Sequence, residues 1–253
     1  MPKEPINYAI SNDMRFNVVP HIFWHKFNEC IWEFETFLFY GKYVSPDKDI
    51  VDIGAWHGPT MLLAYSHNPQ KIYAVEADPA NYQILKANMY KNYLQDKVKL
   101  FNVCISGEDD KIVSFGLHDE NIQSSTTKGI GNSGVKVKTT TVETFLKNVN
   151  MPDVNIIKID IEGGEQYIEN GFEYISQHPG INILLSVHPH FFNDKKTTAE
   201  MLLKVFKRFD VFSDTEENIS DEEIREKILA ETPSRYKDRT GKGFTLILKT
   251  KML

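Results

Sequence analysis

The stretch DIVDIGAWHG, residues 49–58, decides how the chain folds. Its first half is a short apolar run that predicts a buried strand, and two glycines, Gly54 and Gly58, follow before a helical pattern at residues 60–67. In an open α/β sheet, the turn after the first strand lies at the carboxyl edge, where ligands bind. Glycines at that point let a ligand approach the backbone closely. This turn is therefore predicted to hold a ligand.

Strands and helices alternate along the rest of the chain. Counted from residue 49, seven core strands are expected, and helical patterns separate most of them. After the first, the core strand segments are KIYAVEA (71–77), VKLFNVCIS (98–106), NIIKIDI (155–161), INILLSVH (181–188), DVFSD (210–214) and GFTLILKT (243–250). Such alternation produces a mostly parallel sheet with helices on both faces. Two further strands, at residues 111–117 and 135–141, depart from the pattern and flank a Ser/Gly-rich loop.

Residues 24–43, WHKFNECIWEFETFLFYGKY, are dense in aromatic side chains at helical spacing. They predict one covering helix whose apolar stripe shields the sheet, with a lid or a homodimer face as the alternative roles. The stripe consists of Phe27, Ile31, Phe34 and Leu38. The first dozen residues carry no pattern that predicts order. The chain is therefore divided into an N-terminal helical extension, residues 1–47, and one α/β domain, residues 48–253.

Composition limits the classes of partner. The 253 residues carry 29 Lys and Arg against 35 Asp and Glu, a net charge of −6, so no broad basic surface for nucleic acid is expected. The two cysteines, Cys30 and Cys104, lack the spacing of a disulfide framework or a thiolate metal site. No apolar run is long enough for a membrane span, and the N-terminus lacks the apolar core of a signal peptide. A cytoplasmic protein is expected.

Two acids at neighbouring strand ends indicate the kind of cofactor. Asp52 precedes a single glycine where a nicotinamide enzyme would carry G-x-G-x-x-G, and an anionic turn suits a cationic amino group better than a pyrophosphate. Glu76 ends the second strand, where a carboxylate can accept both ribose hydroxyls of an adenosyl cofactor. A plain turn at Asp52, and an ion pair or helix cap at Glu76, are the alternatives. The pair favours S-adenosylmethionine.

Four segments together resemble the FkbM family of S-adenosylmethionine-dependent methyltransferases. They are VDIGAWHGPTMLLA (51–64), YAVEADPANYQILKANM (73–89), VKTTTVETFL (137–146) and IIKIDIEGGEQYIENG (156–171). The similarity covers about residues 49–189, and its most specific element is Lys158-x-Asp160-x-Glu162-Gly163-x-Glu165. It implies a class I methyltransferase fold, a Rossmann-like seven-stranded sheet whose last strand is antiparallel. It also implies O-methylation of a hydroxyl on a sugar, glycan or other small molecule.

The resemblance also assigns the cofactor contacts, position by position. It places the methionine part on Asp52, Gly54, Ala55 and Gly58, the ribose on Glu76, the adenosine beside Ala77 and Asp78, and the adenine on Cys104 and Ile105. Family members often carry an acid before the final His-Pro, whereas this chain has Ser186-Val187-His188-Pro189. That departure leaves the role of this strand end open.

Methyl transfer to an alcohol needs a group that takes the hydroxyl proton. Asp160 ends the fourth core strand, Glu162 follows it, and His188 ends the fifth, so these three are the candidate catalytic residues. Helix capping and a bond to Lys158 are the alternative for the two acids, and a turn histidine is the alternative for His188. A divalent metal on the same three side chains is chemically possible but is not predicted, because their spacing is no recognised ligand pattern.

Two loops are candidates for recognising the acceptor. Ser124 and Ser125 offer hydroxyl groups, with a plain surface loop as the alternative. Arg235 and Arg239 lie between the last two strands and favour an anionic acceptor, with a solvated charged loop as the alternative.

Two other functions compete with that of a small-molecule O-methyltransferase. One is an N-methyltransferase, disfavoured because the turn after the fourth strand lacks Asn/Asp-Pro-Pro-Tyr, and the other is a binding module without activity.

Overall fold

The chain begins with a β-hairpin, which the sequence patterns did not predict. The computed structural model describes residues 3–116, 128–131, 135–150, 153–230 and 243–251. Its first elements are the antiparallel strands β1 (Ile6–Ser11) and β2 (Met14–His21). Asn12 and Asp13 connect them with φ of 46° and 62°, a left-handed conformation that these two residue types tolerate in tight hairpin turns. The prediction that the N-terminal extension is only helical is therefore wrong.

Two helices replace the single predicted covering helix, α1 (Trp24–Asn28) and α2 (Phe34–Tyr43). The chain breaks between them because Cys30 and Glu33 adopt left-handed φ values of 52° and 41°. The predicted apolar stripe is wrong beyond Phe27, since the break turns its other members outward. Ile31, Phe34 and Leu38 are 65%, 56% and 51% exposed. The side chains that these helices bury are instead Trp24, Phe27, Phe39 and Tyr40.

The seven-stranded sheet is confirmed. The remaining strands are β3 (Asp49–Ile53), β4 (Lys71–Val75), β5 (Val98–Phe101), β6 (Cys104–Ile105), β7 (Ile112–Gly116), β8 (Lys128–Gly131), β9 (Val135–Thr140), β10 (Val154–Ile159), β11 (Asn182–Val187), β12 (Phe209–Ser213) and β13 (Phe244–Thr250). The main sheet has the order β12-β13-β11-β10-β3-β4-β5. Only β13 runs antiparallel to its neighbours β11 and β12, as expected for the last strand. The four strands that follow β5 in the chain form a smaller sheet, in the order β6-β9-β7-β8.

Six more helices follow α2 in the described residues. They are α3 (Pro59–Ser66), α4 (Pro79–Lys91), α5 (Val142–Asn148), α6 (Glu169–Ile175), α7 (Lys195–Phe206) and α8 (Asp221–Leu229). A 3-10 turn at Gly164–Tyr167 precedes α6. Asp194 caps α7 by accepting the backbone N–H of Lys196 at 2.9 Å. None of the described helices is long and apolar enough to cross a membrane.

Alternate residues of the central strands point to two apolar clusters, one on each face of the sheet. Val51 and Ile53 pack with α5, α6 and α7, whereas Ile50 packs with α3, α4 and the N-terminal elements. Phe16 of the hairpin belongs to the second cluster. The N-terminal elements therefore share a core with the sheet, while the domain division at residue 47 stays a prediction.

Asn88 of α4 ties the hairpin to the turn after β3. Its side chain is wholly buried. Its Oδ1 accepts the backbone N–H of Val19 at 2.7 Å, and its Nδ2 donates to the backbone carbonyl of His57 at 2.8 Å. One side chain thus satisfies a backbone group of the hairpin and a backbone group of the turn.

We expect Asn88→Ala to lower the free energy of unfolding by roughly 2–4 kcal/mol, because two buried backbone groups lose their partner. Asn92→Ala is the matched control. Asn92 makes the same pair of bonds to Asn17, at 2.7 and 2.8 Å, but is partly exposed, so water replaces them at a cost of about 1 kcal/mol or less. Urea unfolding followed by circular dichroism measures both. Equal costs would contradict the assigned role of Asn88.

Candidate active site

The turn after β3 touches the end of β10. Gly54 has φ of 91°, and a Cβ at this position would lie 1.8 Å from the backbone carbonyl oxygen of Asp160. No side chain fits into that space, so a glycine is required. The contact places the turn predicted to hold the cofactor directly beside the first predicted catalytic residue.

Asp52 is wholly buried under this turn. Its Oδ2 accepts a hydrogen bond from the Thr60 hydroxyl, and its Oδ1 has no partner among the described residues. Burial raises the pKa of Asp52, although the positive charge of Lys158 opposes the shift. A buried carboxylate oxygen without a donor is costly, and a cationic amino group is a chemically suitable partner for it.

Glu76 lies at the end of β4 and is nearly buried. Its two carboxylate oxygens accept the backbone N–H groups of Trp56 and Asp78, each at 2.8 Å. Burial raises the pKa of Glu76 to about 7 against these two bonds, and the charges of Asp78 and Asp52 add to the rise. Each carboxylate oxygen keeps lone pairs for further donors, so this side chain could accept ribose hydroxyls.

The other residues assigned to the cofactor surround these two acids. The backbone N–H groups of Gly54 and Ala55 both donate to the Val75 carbonyl at 2.9 Å, so they are already engaged. The Asp78 carboxylate caps α4 by accepting the Ala80 N–H at 2.7 Å. The remaining assigned residues are Gly58, which precedes α3, Ala77, which follows Glu76, and the buried pair Cys104 and Ile105. Burial, and then the charge of Glu76, raise the pKa of Cys104 to about 12.

An aromatic cluster, which the sequence did not predict, covers the turn. Trp56 has a left-handed φ of 48°, and its ring stacks on His57 with centroids 4.1 Å apart. Phe23 and His21, from the N-terminal elements, meet the Trp56 ring edge-on at 4.7 and 5.8 Å. Burial, followed by the neighbouring His21, lowers the pKa of His57 to about 4. The N-terminal elements therefore form one wall of this region.

Asp160, Glu162 and His188, the three predicted catalytic residues, are brought together. The His188 Nε2 lies 3.6 Å from Asp160 Oδ1 and 3.7 Å from Glu162 Oε2. The side chains of Asp160, Glu162 and His188 are 15%, 31% and 13% exposed. On its other side, His188 Nδ1 lies 3.1 Å from Oε1 of the wholly buried Glu165. The three groups can accept or hold protons, and one side of the cluster is open.

Lys158 joins this cluster to Asp52 on the neighbouring strand. Its ammonium group is buried and donates to Asp160 Oδ2 at 2.8 Å, as one of the alternative readings predicted. Glu33, in the break between α1 and α2, places Oε2 3.7 Å from the same ammonium. Burial alone would lower the pKa of Lys158, but the charges of Asp160, Glu33 and Asp52 raise it above its usual value. No sequence pattern indicated Glu33, because it lies over 120 residues before its partner.

The charged groups of the cluster shift one another's pKa values. Burial would lower the pKa of His188, but Glu165, Glu162 and Asp160 raise it to about 10. Burial raises the pKa of Glu162 to about 7 despite the charge of His188. Burial alone would raise the pKa of Asp160, but the charges of Lys158 and His188 outweigh burial and lower this pKa. The cluster carries more carboxylates than cations, so it suits a positively charged ligand.

The four residues predicted to read the acceptor, Ser124, Ser125, Arg235 and Arg239, lie outside the described residues. Their roles stay predictions.

Known proteins resemble the chain to different extents. A family model described as the methyltransferase FkbM domain matches residues 51–210. Ribosomal protein L11 methyltransferase of Carboxydothermus hydrogenoformans is 37% identical over 57 residues, which span 22% of this chain and 19% of that protein. A methyltransferase FkbM structure from Methylobacillus flagellatus KT is 12% identical over 81% of this chain and 44% of that chain, with a TM-score of 0.48. An O-methyltransferase from Bacillus cereus is 12% identical over 86% and 79%, with a TM-score of 0.45.

The strand order, with its single antiparallel strand, and the acids at the ends of β3 and β4 define a class I methyltransferase. The chain belongs to the FkbM methyltransferase family, whose model covers more than half of it. The matched region, residues 51–210, is therefore a methyltransferase domain of the S-adenosylmethionine-dependent type.

Gly54→Ala tests the close contact of the turn with β10. We expect it to lower the free energy of unfolding by about 2–5 kcal/mol, since the left-handed backbone costs about 1–2 kcal/mol and the clash adds to it. Gly180→Ala is the control, because Gly180 has φ of 81° but nothing within 4 Å of an added Cβ. It should cost only the backbone strain of about 1–2 kcal/mol. Thermal unfolding measures both, and equal losses would show that the turn can move away from Asp160.

Proposed function

We propose that the protein transfers the methyl group of S-adenosylmethionine to a hydroxyl oxygen of a sugar or another polyhydroxyl small molecule. The observation that carries this proposal is the group of three titratable side chains, Asp160, Glu162 and His188, beside the Gly54 turn. An alcohol is a weak nucleophile until its proton is removed, so a site for alcohols needs such groups next to the methyl donor.

The residues of the β3 and β4 ends fit the cofactor. The unpartnered Asp52 Oδ1 suits the amino group of its methionine part, and the free lone pairs of Glu76 suit the two ribose hydroxyls. In this proposal, the backbone at Gly54, Ala55 and Gly58 borders the methionine part. The adenosine lies against Ala77, Asp78, Cys104 and Ile105.

The cofactor, when bound, supplies an electrophilic methyl group. The protein then has to orient the acceptor oxygen in line with that methyl group and to accept the hydroxyl proton. Glu162 is the most exposed of the three candidates and has no hydrogen bond within the described residues that fixes it elsewhere. We assign the proton-accepting role to its carboxylate, with Asp160 and His188 orienting the acceptor.

The charge of the site disfavours an anionic acceptor. Five carboxylates, those of Glu33, Asp52, Asp160, Glu162 and Glu165, lie within the network around the two cations Lys158 and His188. An anionic acceptor would meet repulsion here. It would have to rely on Arg235 and Arg239, outside the described residues.

The proposed acceptor is tested by measuring S-adenosylhomocysteine release with panels of polyols, simple alcohols and amines. We expect release with a polyol and none with amines. Glu162→Gln should lower the turnover number by roughly 10²–10⁴-fold, the usual contribution of a general base, while S-adenosylmethionine affinity stays within about threefold. Glu143→Gln, at an exposed position on α5, is the control. Turnover with amines alone would overturn the proposal.

The ribose role of Glu76 predicts a pH dependence of binding. The ionised carboxylate accepts two hydroxyls, and its pKa is about 7, so affinity should rise as pH increases from 6 to 8. Methylthioadenosine is the appropriate ligand for calorimetry, because it lacks the amino acid part and its own titration. Glu76→Gln should weaken binding by about 10–100-fold and flatten the profile. An unchanged profile in the variant would remove Glu76 from the ribose site.

A further inference from the structure

We propose that Asp160, Glu162 and His188 bind a divalent cation of the Mg²⁺ or Mn²⁺ type, which holds two adjacent hydroxyl oxygens of the acceptor. The cation site itself depends only on the geometry of these residues. Its use in holding a diol rests on the proposed function.

The distances between the three side chains suit a bridging ion. The separations of 3.6 and 3.7 Å between His188 Nε2 and the two carboxylate oxygens exceed ordinary hydrogen-bond lengths. All three ligand atoms lie within 4.8 Å of one another. Two atoms that are each about 2.1 Å from one ion can be at most about 4.2 Å apart, so small side-chain adjustments are sufficient.

Neighbouring groups hold the atoms of the cluster that do not face its centre. Lys158 binds Oδ2 of Asp160 and leaves Oδ1 turned towards His188. Glu165 Oε1 binds Nδ1 of His188, so a neutral imidazole would carry its hydrogen there and present the Nε2 lone pair to an ion. A carboxylate behind a histidine ligand is the usual arrangement at metal sites.

Glu165 adds a buried carboxylate behind His188. It is wholly buried against His188, and its Oε2 has no partner within the described part of the chain. A histidine without an ion could instead carry a proton and pair with the three carboxylates. A divalent ion in place of that proton carries one more positive charge, and it therefore balances the excess of carboxylates better.

The backbone holds Glu162 at the site under strain. Glu162 has a left-handed φ of 49°, and Gly163 follows with φ of 93°. A Cβ on Gly163 would lie 2.4 Å from Cβ of Phe191, just beyond the end of β11. Such conformations persist where the surrounding structure requires them, and here they direct the Glu162 carboxylate towards His188.

The open side of the cluster leaves coordination positions for oxygen atoms of the acceptor or of water. The two carboxylates are hard donors and the imidazole is a borderline donor, a set that suits Mn²⁺ better than Mg²⁺ and that lacks the thiolate of a softer metal site. A cation there would lower the pKa of a bound hydroxyl. In the transfer, the acceptor oxygen forms a bond to the methyl carbon and the carbon–sulfur bond breaks, with its electron pair going to sulfur. The hydroxyl proton goes to the free oxygen of Glu162.

Cation binding is measured on the full chain, treated with EDTA and dialysed, by titrating Mn²⁺ and following free Mn²⁺ by electron paramagnetic resonance, without cofactor or acceptor. We expect one site per chain at micromolar concentrations. Asp160→Asn and His188→Gln should weaken binding at least tenfold, and Glu165→Gln by about 10–100-fold. His190→Gln is the control, because its ring is 5.9 Å from that of His188 but belongs to no donor set. Thermal unfolding verifies that each variant is folded.

The outcomes separate this proposal from the proposed function. No Mn²⁺ binding up to millimolar concentrations, or binding that Asp160→Asn and His188→Gln leave unchanged, would overturn the cation site. Polyol methylation that persists in EDTA would then leave the proposed function intact. Conversely, specific Mn²⁺ binding without methylation of any polyol would support the site and remove the proposed acceptor.

Discussion

The buried ammonium of Lys158 is the interaction on which the rest of the site depends. It lies on β10 opposite Asp52 of β3, and its charge must be balanced inside the protein. Asp160 provides the direct hydrogen bond, and Glu33 provides a further carboxylate from the N-terminal elements. Removing one partner from a buried ionic group of this kind typically costs about 3–5 kcal/mol. The central strands and the break between α1 and α2 are therefore held in one arrangement.

This constraint connects the N-terminal elements to the candidate active site, although they lie outside residues 51–210, which match the family model. Glu33 reaches the sheet edge at Lys158, and Phe23 covers Trp56 in the turn after β3. The same elements also contribute to the apolar core that contains Ile50. A methyltransferase sheet and an N-terminal cover thus share both a core and a charge network.

The two halves of the sheet edge have different chemistry. The ends of β3 and β4 carry two buried acids, Asp52 and Glu76. Asp52 accepts a hydroxyl and Glu76 accepts backbone amides, and both carboxylates suit a cationic cofactor. The ends of β10 and β11 bring partly exposed groups, Glu162 and His188, whose free atoms converge on an open space.

The sequence by itself determined the strands of the sheet and the candidate residues at four strand ends, whereas the antiparallel last strand was implied by the family resemblance. These features depend on local periodicity, on glycines that a turn requires, and on motifs such as Lys158-x-Asp160-x-Glu162, which act over a few residues. The tertiary structure alone decided the hairpin, the break in the predicted covering helix and the position of Glu33. It also decided that Glu165 lies behind His188, since contacts between residues far apart in the chain leave no periodic pattern. The charge balance around Lys158 is likewise a property of the assembled fold, because it depends on which distant carboxylates share one dry volume with it.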